Sequence, residues 1–448
     1  MHHSTSRRRW EVTGVSPGEL VVAGEFEWQG RGRVWCGAGP LLVAALGESG
    51  QQARLGLLGS RRLEGRGDAT AFAVSYLDRD GRVAGFAVAA HESDRQGLVV
   101  AQETVERWSA VLRSRLLLVA DTDPLCPGER RAARMVCAAE SARTHGVYAL
   151  EDAYGFDDAY ADADADADAD AGADVPARKP VAVRRVRSLE EVPGSAVLAI
   201  PAFGVPLATA AEAAARGLAV IDATCPLVEA VCADVRRYAE RGDTVVVLGR
   251  SRHAVTRTLV GQAPGSAILV EDAAQAAALD VPDRDRVSFV AAPGQPVREV
   301  MNVLAVLRAR FPGLCGHHFD ILCHAASDRD ATIHAAAADA DVVLVLGSGS
   351  DHDSRRTAAL AARAARAGAA VVHVVDRLGE IRAEWLASAT SIGLINARTA
   401  PTRLAGQVCE ALAGLGPLTL ARRAVTTVTA PREAEFEAPW AQTLAAVP

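Results

Sequence analysis

The chain has 448 residues, half of them apolar and only 4% aromatic, enough for two to four domains with sizeable cores. Its net charge of −7 is concentrated in residues 157–174, which hold eight aspartates and no basic residue. About +1 is left elsewhere, so neither nucleic acid nor an anionic membrane is implied as a partner. No apolar run approaches the roughly 18 residues of a membrane span, and residues 1–9 lack the apolar stretch of a signal peptide; a cytoplasmic location with reduced or metal-bound cysteines is expected.

Residues 1–114 read as a small α+β accessory domain. Strand-like runs fall at 20–23, 71–77 and 83–89, and Asp78-Arg79-Asp80-Gly81 between the last two is a hairpin signal. A helix-like stretch follows over 99–113. Cys36 and His91 stand alone here, with no ligand-type neighbour at metal spacing, and are expected to pack or face solvent.

From residue 115 to 415, short apolar runs alternate with alanine-rich helical patterns, the signature of parallel β-α units. Strands are predicted at 116–120, 197–200, 219–221, 244–248, 287–291, 342–346, 370–375 and 392–395. Helices over 208–216 and 357–367 end at Gly217 and Gly368. The Ala-Asp repeat at 161–174, within a low-complexity insertion at about 157–177, has no large apolar side chain to offset its ordering entropy and reads as a flexible loop. Residues 416–448 read as a C-terminal tail.

Three cysteines are spaced almost evenly, Cys126, Cys225 and Cys323, 99 and 98 residues apart. Each follows an apolar run, at the carboxyl end of a strand where sheets of this type bind ligands. In Cys126-Pro127 and Cys225-Pro226 the proline suits the first helical position and makes cysteine the N-cap. Helix N-termini favour anions, so a thiolate fit for iron or zinc is expected there. Three thiolates on one metal centre would leave a coordination position open for substrate. Cys137, Cys232 and Cys409 lie within helical patterns and are expected to pack.

The wording around these cysteines is more specific. Asp222-Ala223-Thr224-Cys225-Pro226-Leu227-Val228, preceded by Ala202-Phe203-Gly204-Val205, resembles the second cysteine region of the hydroxymethylbutenyl diphosphate reductases, the LytB family. Leu125-Cys126-Pro127-Gly128, with Arg131 and Ala132 beyond, echoes that family's Phe-Cys-Ala-Gly-Val wording, and Asp320-Ile321-Leu322-Cys323 with Arg329 echoes its third cysteine segment. His253, Ser354 and Arg398-Thr399-Ala400-Pro401 fall in order where the family has its other pocket segments.

The resemblance implies a three-lobed α/β fold of parallel β-α units around a central [4Fe-4S] cluster held by Cys126, Cys225 and Cys323. It implies reductive removal of an allylic hydroxyl from a diphosphate in isoprenoid synthesis, with electrons from a ferredoxin or flavodoxin type partner. His253 would be the catalytic histidine and a substrate ligand, joined in substrate binding by Ser354 and Thr399.

Departures from the family pattern fall in the substrate pocket. Phe203 replaces one histidine, and a His-Asn pair falls near Gly155 and Phe156. Val255 stands where a relay glutamate is expected, Pro293 and Gly294 where a threonine pair is expected, and Asp351-His352-Asp353 replaces Ser-Ser-Asn. Each aspartate near a diphosphate would repel it by roughly 1 kcal/mol or more. The reading is therefore an iron-sulfur reductase of this family, acting on a relative of the usual allylic diphosphate or on a different hydroxylated substrate. A catalytically silent redox sensor or partner-binding paralogue is the alternative, and a zinc protein using the three cysteines and His324 is the third. Because loop-closure entropy grows slowly with length, deletion of residues 161–174 is expected to leave the thermal midpoint within a few degrees of the parent; a collapse to insoluble protein would show the repeat to be structural.

Overall fold

The computed structural model of the chain describes residues 4–28, 30–58, 68–77, 81, 83–122, 125–141, 146–150, 183–251, 253–317, 322–365 and 371–427. The Ala-Asp repeat, Gly155, Phe156, hairpin residues 78–80, Asp320, Ile321 and Gly368 lie outside this set. The described residues form two compact units, one from residues 1–122 and 331–424, the other from 123–330 and 425–448.

In the first unit, six N-terminal strands form one sheet: β1 (Ser4–Val12), β2 (Leu20–Trp28), β3 (Gly32–Trp35), β4 (Ala53–Leu57), β5 (Ala69–Leu77) and β6 (Val83–His91). Their order is β1-β5-β6-β2-β3, with β4 also on β2. The hairpin signal corresponds to antiparallel pairing of β5 with β6, Leu77 opposite Val83. The helix expected at 99–113 runs Arg95–Ser109, started one turn earlier by Asp94, whose carboxylate accepts the Gly97 N–H as an N-cap.

The same unit holds a five-stranded sheet, all parallel, built on β7 (Arg115–Ala120). The second unit holds two four-stranded parallel sheets. One comprises β8 (Val147–Leu150), β9 (Arg184–Val186), β10 (Val197–Ile200) and β11 (Ala219–Asp222), in the order β11-β10-β8-β9. The other comprises β12 (Thr244–Leu248), β13 (Ala267–Val270), β14 (Val287–Ala291) and β15 (Cys315–Gly316), in the order β13-β12-β14-β15. The sheet containing β7 is completed by β16 (Val342–Leu346), β17 (Val371–Val375), β18 (Ser391–Asn396) and β19 (Leu418–Arg423), in the order β17-β16-β18-β7-β19. β10, β12, β14 and β16 are buried along nearly their whole length, as strands covered on both faces must be, which is why they read as continuous apolar runs.

The expected division at 114/115 and 415/416 is not where the chain divides. Leu41, Phe86 and Val88 from the N-terminal region share one core with Leu117, Leu344 and Val408. A Cβ on Gly414 would fall 2.1 Å from the Ala38 nitrogen, so the two backbones touch where only glycine fits. Arg115, almost wholly buried, donates to the carbonyls of Arg113, Val111, Leu386 and Leu415 and so ties the expected boundary to distant segments. Burial lowers its guanidinium to about 10, with Arg113 adding to the effect. The expected tail likewise contributes β19, paired along its length with β7. Composition marked the change in strand character near residue 115, but one-sided amphipathic elements do not reveal which partner covers their apolar face.

A chain beginning at residue 115 would expose the apolar face normally covered by Leu41, Phe86 and Val88. It is expected to lose cooperative unfolding, measured by circular dichroism during denaturant titration. A sharp transition in such a chain would restore the accessory-domain division.

Candidate functional site

Cys126 precedes the helix Pro127–Ser141 and closes its first turn reciprocally with Glu129. The Cys126 N–H donates to Glu129 Oε2 at 2.8 Å, and the Glu129 N–H donates to Cys126 Sγ at 3.5 Å. This is a capping box with sulfur in the place of a serine oxygen. Cys225 is the N-cap of the helix Pro226–Glu240, with proline at the first helical position as predicted, and its sulfur faces the N–H groups of Leu227 and Val228. Cys323 lies two residues before the helix Ala325–Ala337, its sulfur held by the N–H groups of Ala325 and Gly294.

The three sulfurs converge. A Cβ placed on Gly128 would lie 2.7 Å from Cys225 Sγ and 3.8 Å from Cys126 Sγ, so Gly128 is the surface over which these two thiols approach each other. Ionisation of Cys126 is opposed by both Cys323 and Cys225, and that of Cys225 by Cys323. Arg131, one turn into the first helix, donates from Nη1 to the Thr224 carbonyl at 3.2 Å and ties the first cysteine's helix to the residue before Cys225.

The expectation of free thiolates at helix N-termini needs correction. Burial dominates: it pushes Cys126 well above the ordinary thiol range, Cys225 to about 11, and Cys323 upward. The N–H groups at each sulfur pull the other way and are outweighed, so these thiols stay neutral until a cation compensates them. Among the described residues, no three His, Cys, Asp or Glu side chains are grouped closely enough to share one ion. A donor set of three soft sulfurs suits an iron-sulfur cluster.

His253 caps the helix Ala254–Val260, and its ring atoms Cε1 and Nε2 would lie 3.7 Å from a Cβ on Gly294. Gly294, at φ +87°, is the residue whose N–H reaches Cys323, so the histidine adjoins the loop that holds the third cysteine. Phe203 and Val255 are buried in the apolar core of this unit, in the cluster that also holds Cys225 and Cys232.

In the other unit, Ser354 and Thr399 meet at one carboxylate. Asp351 caps the helix His352–Ala364, accepting the Ser354 N–H at 2.8 Å, the Ser354 hydroxyl at 3.0 Å and the Thr399 hydroxyl at 2.9 Å. Burial acts upward on this carboxyl, but the hydrogen bonds outweigh it and hold it below the usual range. Asp353 accepts the Arg398 N–H at 2.7 Å. Both aspartates therefore have local structural partners, which their reading as bare charges overlooked.

The family model described as LytB protein matches residues 117–413. The chain belongs to the LytB family. This LytB chain is 38% identical over 248 residues to the 4-hydroxy-3-methylbut-2-enyl diphosphate reductase 2 of Mycobacterium bovis, covering 54% of this chain and 74% of the relative. It is 35% identical over 234 residues to the reductase of the same name from Sodalis glossinidius, covering 52% and 73%. The structure of the E-1-hydroxy-2-methyl-but-2-enyl-4-diphosphate reductase from Plasmodium falciparum superposes with a TM-score of 0.57 at 18% identity, covering 72% of this chain and 97% of that one. At that identity the superposition speaks to the α/β fold, which matches expectation.

The other cysteines divide as expected, with one addition. Cys36 and Cys232 are buried in apolar clusters, and Cys137 and Cys409 pack against such clusters. Cys315, not singled out by its sequence context, is exposed on β15 and accepts a hydrogen bond from Arg241 at 2.8 Å. Sequence reasoning also passed over Glu129, although Cys-x-x-Glu before a helix is a legible capping pattern.

Gly128→Ala is expected to force Cys225 Sγ aside and to destabilise the fold by about 1 to 3 kcal/mol, as overpacking does. Denaturant unfolding of the metal-free protein measures it, and a change below about 0.5 kcal/mol, the scatter of neutral surface substitutions, would show that the thiols do not crowd this glycine.

Proposed function

We propose that this chain is an iron-sulfur reductase that removes the hydroxyl of an allylic diphosphate related to 4-hydroxy-3-methylbut-2-enyl diphosphate. The observation that carries the reading is the convergence of Cys126 and Cys225 over Gly128, with Cys323 close enough to oppose the ionisation of both. These thiols would hold three irons of a [4Fe-4S] cluster, which when bound supplies two electrons that, with two protons, convert the C–OH to C–H and water. A ferredoxin or flavodoxin type protein is the proposed electron donor.

The chain's own residues bind and orient. The N–H groups of Ala325 and Gly294 hold the Cys323 sulfur, and Glu129 and Arg131 hold the loops of the other two cysteines. His253, against Gly294, is proposed as the donor that positions the substrate and delivers a proton. Ser354 and Thr399 are proposed as hydroxyl ligands of the substrate, in competition with Asp351, which already accepts from both. Phe203 and Val255 offer no polar atom where the family has a histidine and a glutamate, which supports a substrate or an efficiency different from its relatives'. Each lost charged donor weakens binding by about 1.5 to 3 kcal/mol.

The test is turnover of 4-hydroxy-3-methylbut-2-enyl diphosphate by anaerobically prepared, cluster-loaded protein with a strong reductant. The expected rate lies far below that of an ordinary relative. Matching rates would defeat the divergence argument, whereas negligible turnover with reversible reduction would favour the silent redox paralogue. Serine at position 126, 225 or 323 is expected to abolish iron and sulfide content, while alanine at 137, 232 or 409 leaves it unchanged. Full occupancy in any of the three serine variants would sink the cluster assignment.

A further inference from the structure

The charge of Glu129 is a departure that the activity reading leaves unused. The family's Phe-Cys-Ala-Gly-Val wording has an apolar valine where this chain carries a carboxylate. That carboxylate is half-buried and anchored, with Oε2 2.8 Å from the Cys126 nitrogen. The Cys126 sulfur in turn accepts the Glu129 N–H at 3.5 Å, so a carboxylate is fixed at the first of the three cysteines. Valine at position 129 would neither accept the Cys126 N–H nor supply the charge.

We propose that Glu129 is a positioning residue that locks Cys126 in its capping geometry and lowers the reduction potential of the centre held by the three cysteines, by fixing a carboxylate beside one of its thiolates. The proposal rests on the cluster assignment made under the proposed function. A fixed negative charge next to a redox centre disfavours the added electron, and net charge around a cluster is one of the levers that set its potential. A lower potential makes the reduced centre a stronger donor to an unactivated hydroxyl and demands a stronger partner reductant.

The test uses the full chain loaded with cluster, in three variants. Glu129→Gln keeps a carbonyl oxygen for the Cys126 N–H and removes the charge; it is expected to retain parental iron and sulfide but to show a more positive midpoint in a redox titration followed by visible absorbance. Glu129→Asp keeps the charge and is expected to stay nearer the parental midpoint. Glu129→Ala loses both functions and is expected to show the positive shift together with faster cluster loss to a chelator. An unmoved midpoint in the loaded Gln variant would overturn the proposal, reducing Glu129 to a helix cap. A parent chain that binds no iron or sulfide would overturn the cluster assignment itself, so the two failures are distinguishable.

Discussion

Burial of three thiols within reach of one another is the constraint on which the second unit is organised. Raising Cys225 from an ordinary thiol to about 11 makes its anion about 3 kcal/mol less favourable than in water, and Cys126 and Cys323 are raised in the same sense. Folding can tolerate this while the thiols are protonated. A bound cation reverses the balance, because metal charge stabilises the anion directly and ligand deprotonation becomes part of the binding free energy. The local devices are consistent with that role. Helix N–H groups point at each sulfur, a glycine supplies the close approach, and Arg131 brings the first two cysteine loops together.

The first unit shows a different dependence. Its N-terminal sheet and its parallel sheet share one apolar core, with Arg115 buried and hydrogen-bonded to four backbone carbonyls. A charge in that position is tolerable because several of its N–H groups are satisfied at once; an apolar residue there would leave carbonyls without donors. The added N-terminal region is thus part of the parallel sheet's own core.

The aspartates of the Asp351-His352-Asp353 stretch show how a residue type can be read correctly and its circumstance missed. Their charge is real, and Asp351 is held ionised by its hydrogen bonds. Yet Asp351 caps a helix and gathers Ser354 and Thr399, and Asp353 takes a backbone N–H. A carboxylate with such partners repels a phosphate less than a bare one, since its donors partly neutralise it. It also holds the hydroxyls of Ser354 and Thr399.

The sequence by itself determined the strands whose apolar runs are buried on both faces, and the helix start at Pro226 with cysteine at its N-cap. Those features are local: period, capping and residue type act within a few positions. Short or exposed strands such as β4, β9, β15 and β19 carried too little pattern to be seen, and the split at residue 115 misjudged which apolar faces cover each other. Tertiary structure alone decided that the Cys126 and Cys225 sulfurs approach each other over Gly128, that Arg131 reaches the Thr224 carbonyl, and that burial outweighs the helix termini in setting thiol ionisation. Each of these is a distance or a desolvation between segments far apart in sequence, and neither quantity exists until the chain has folded.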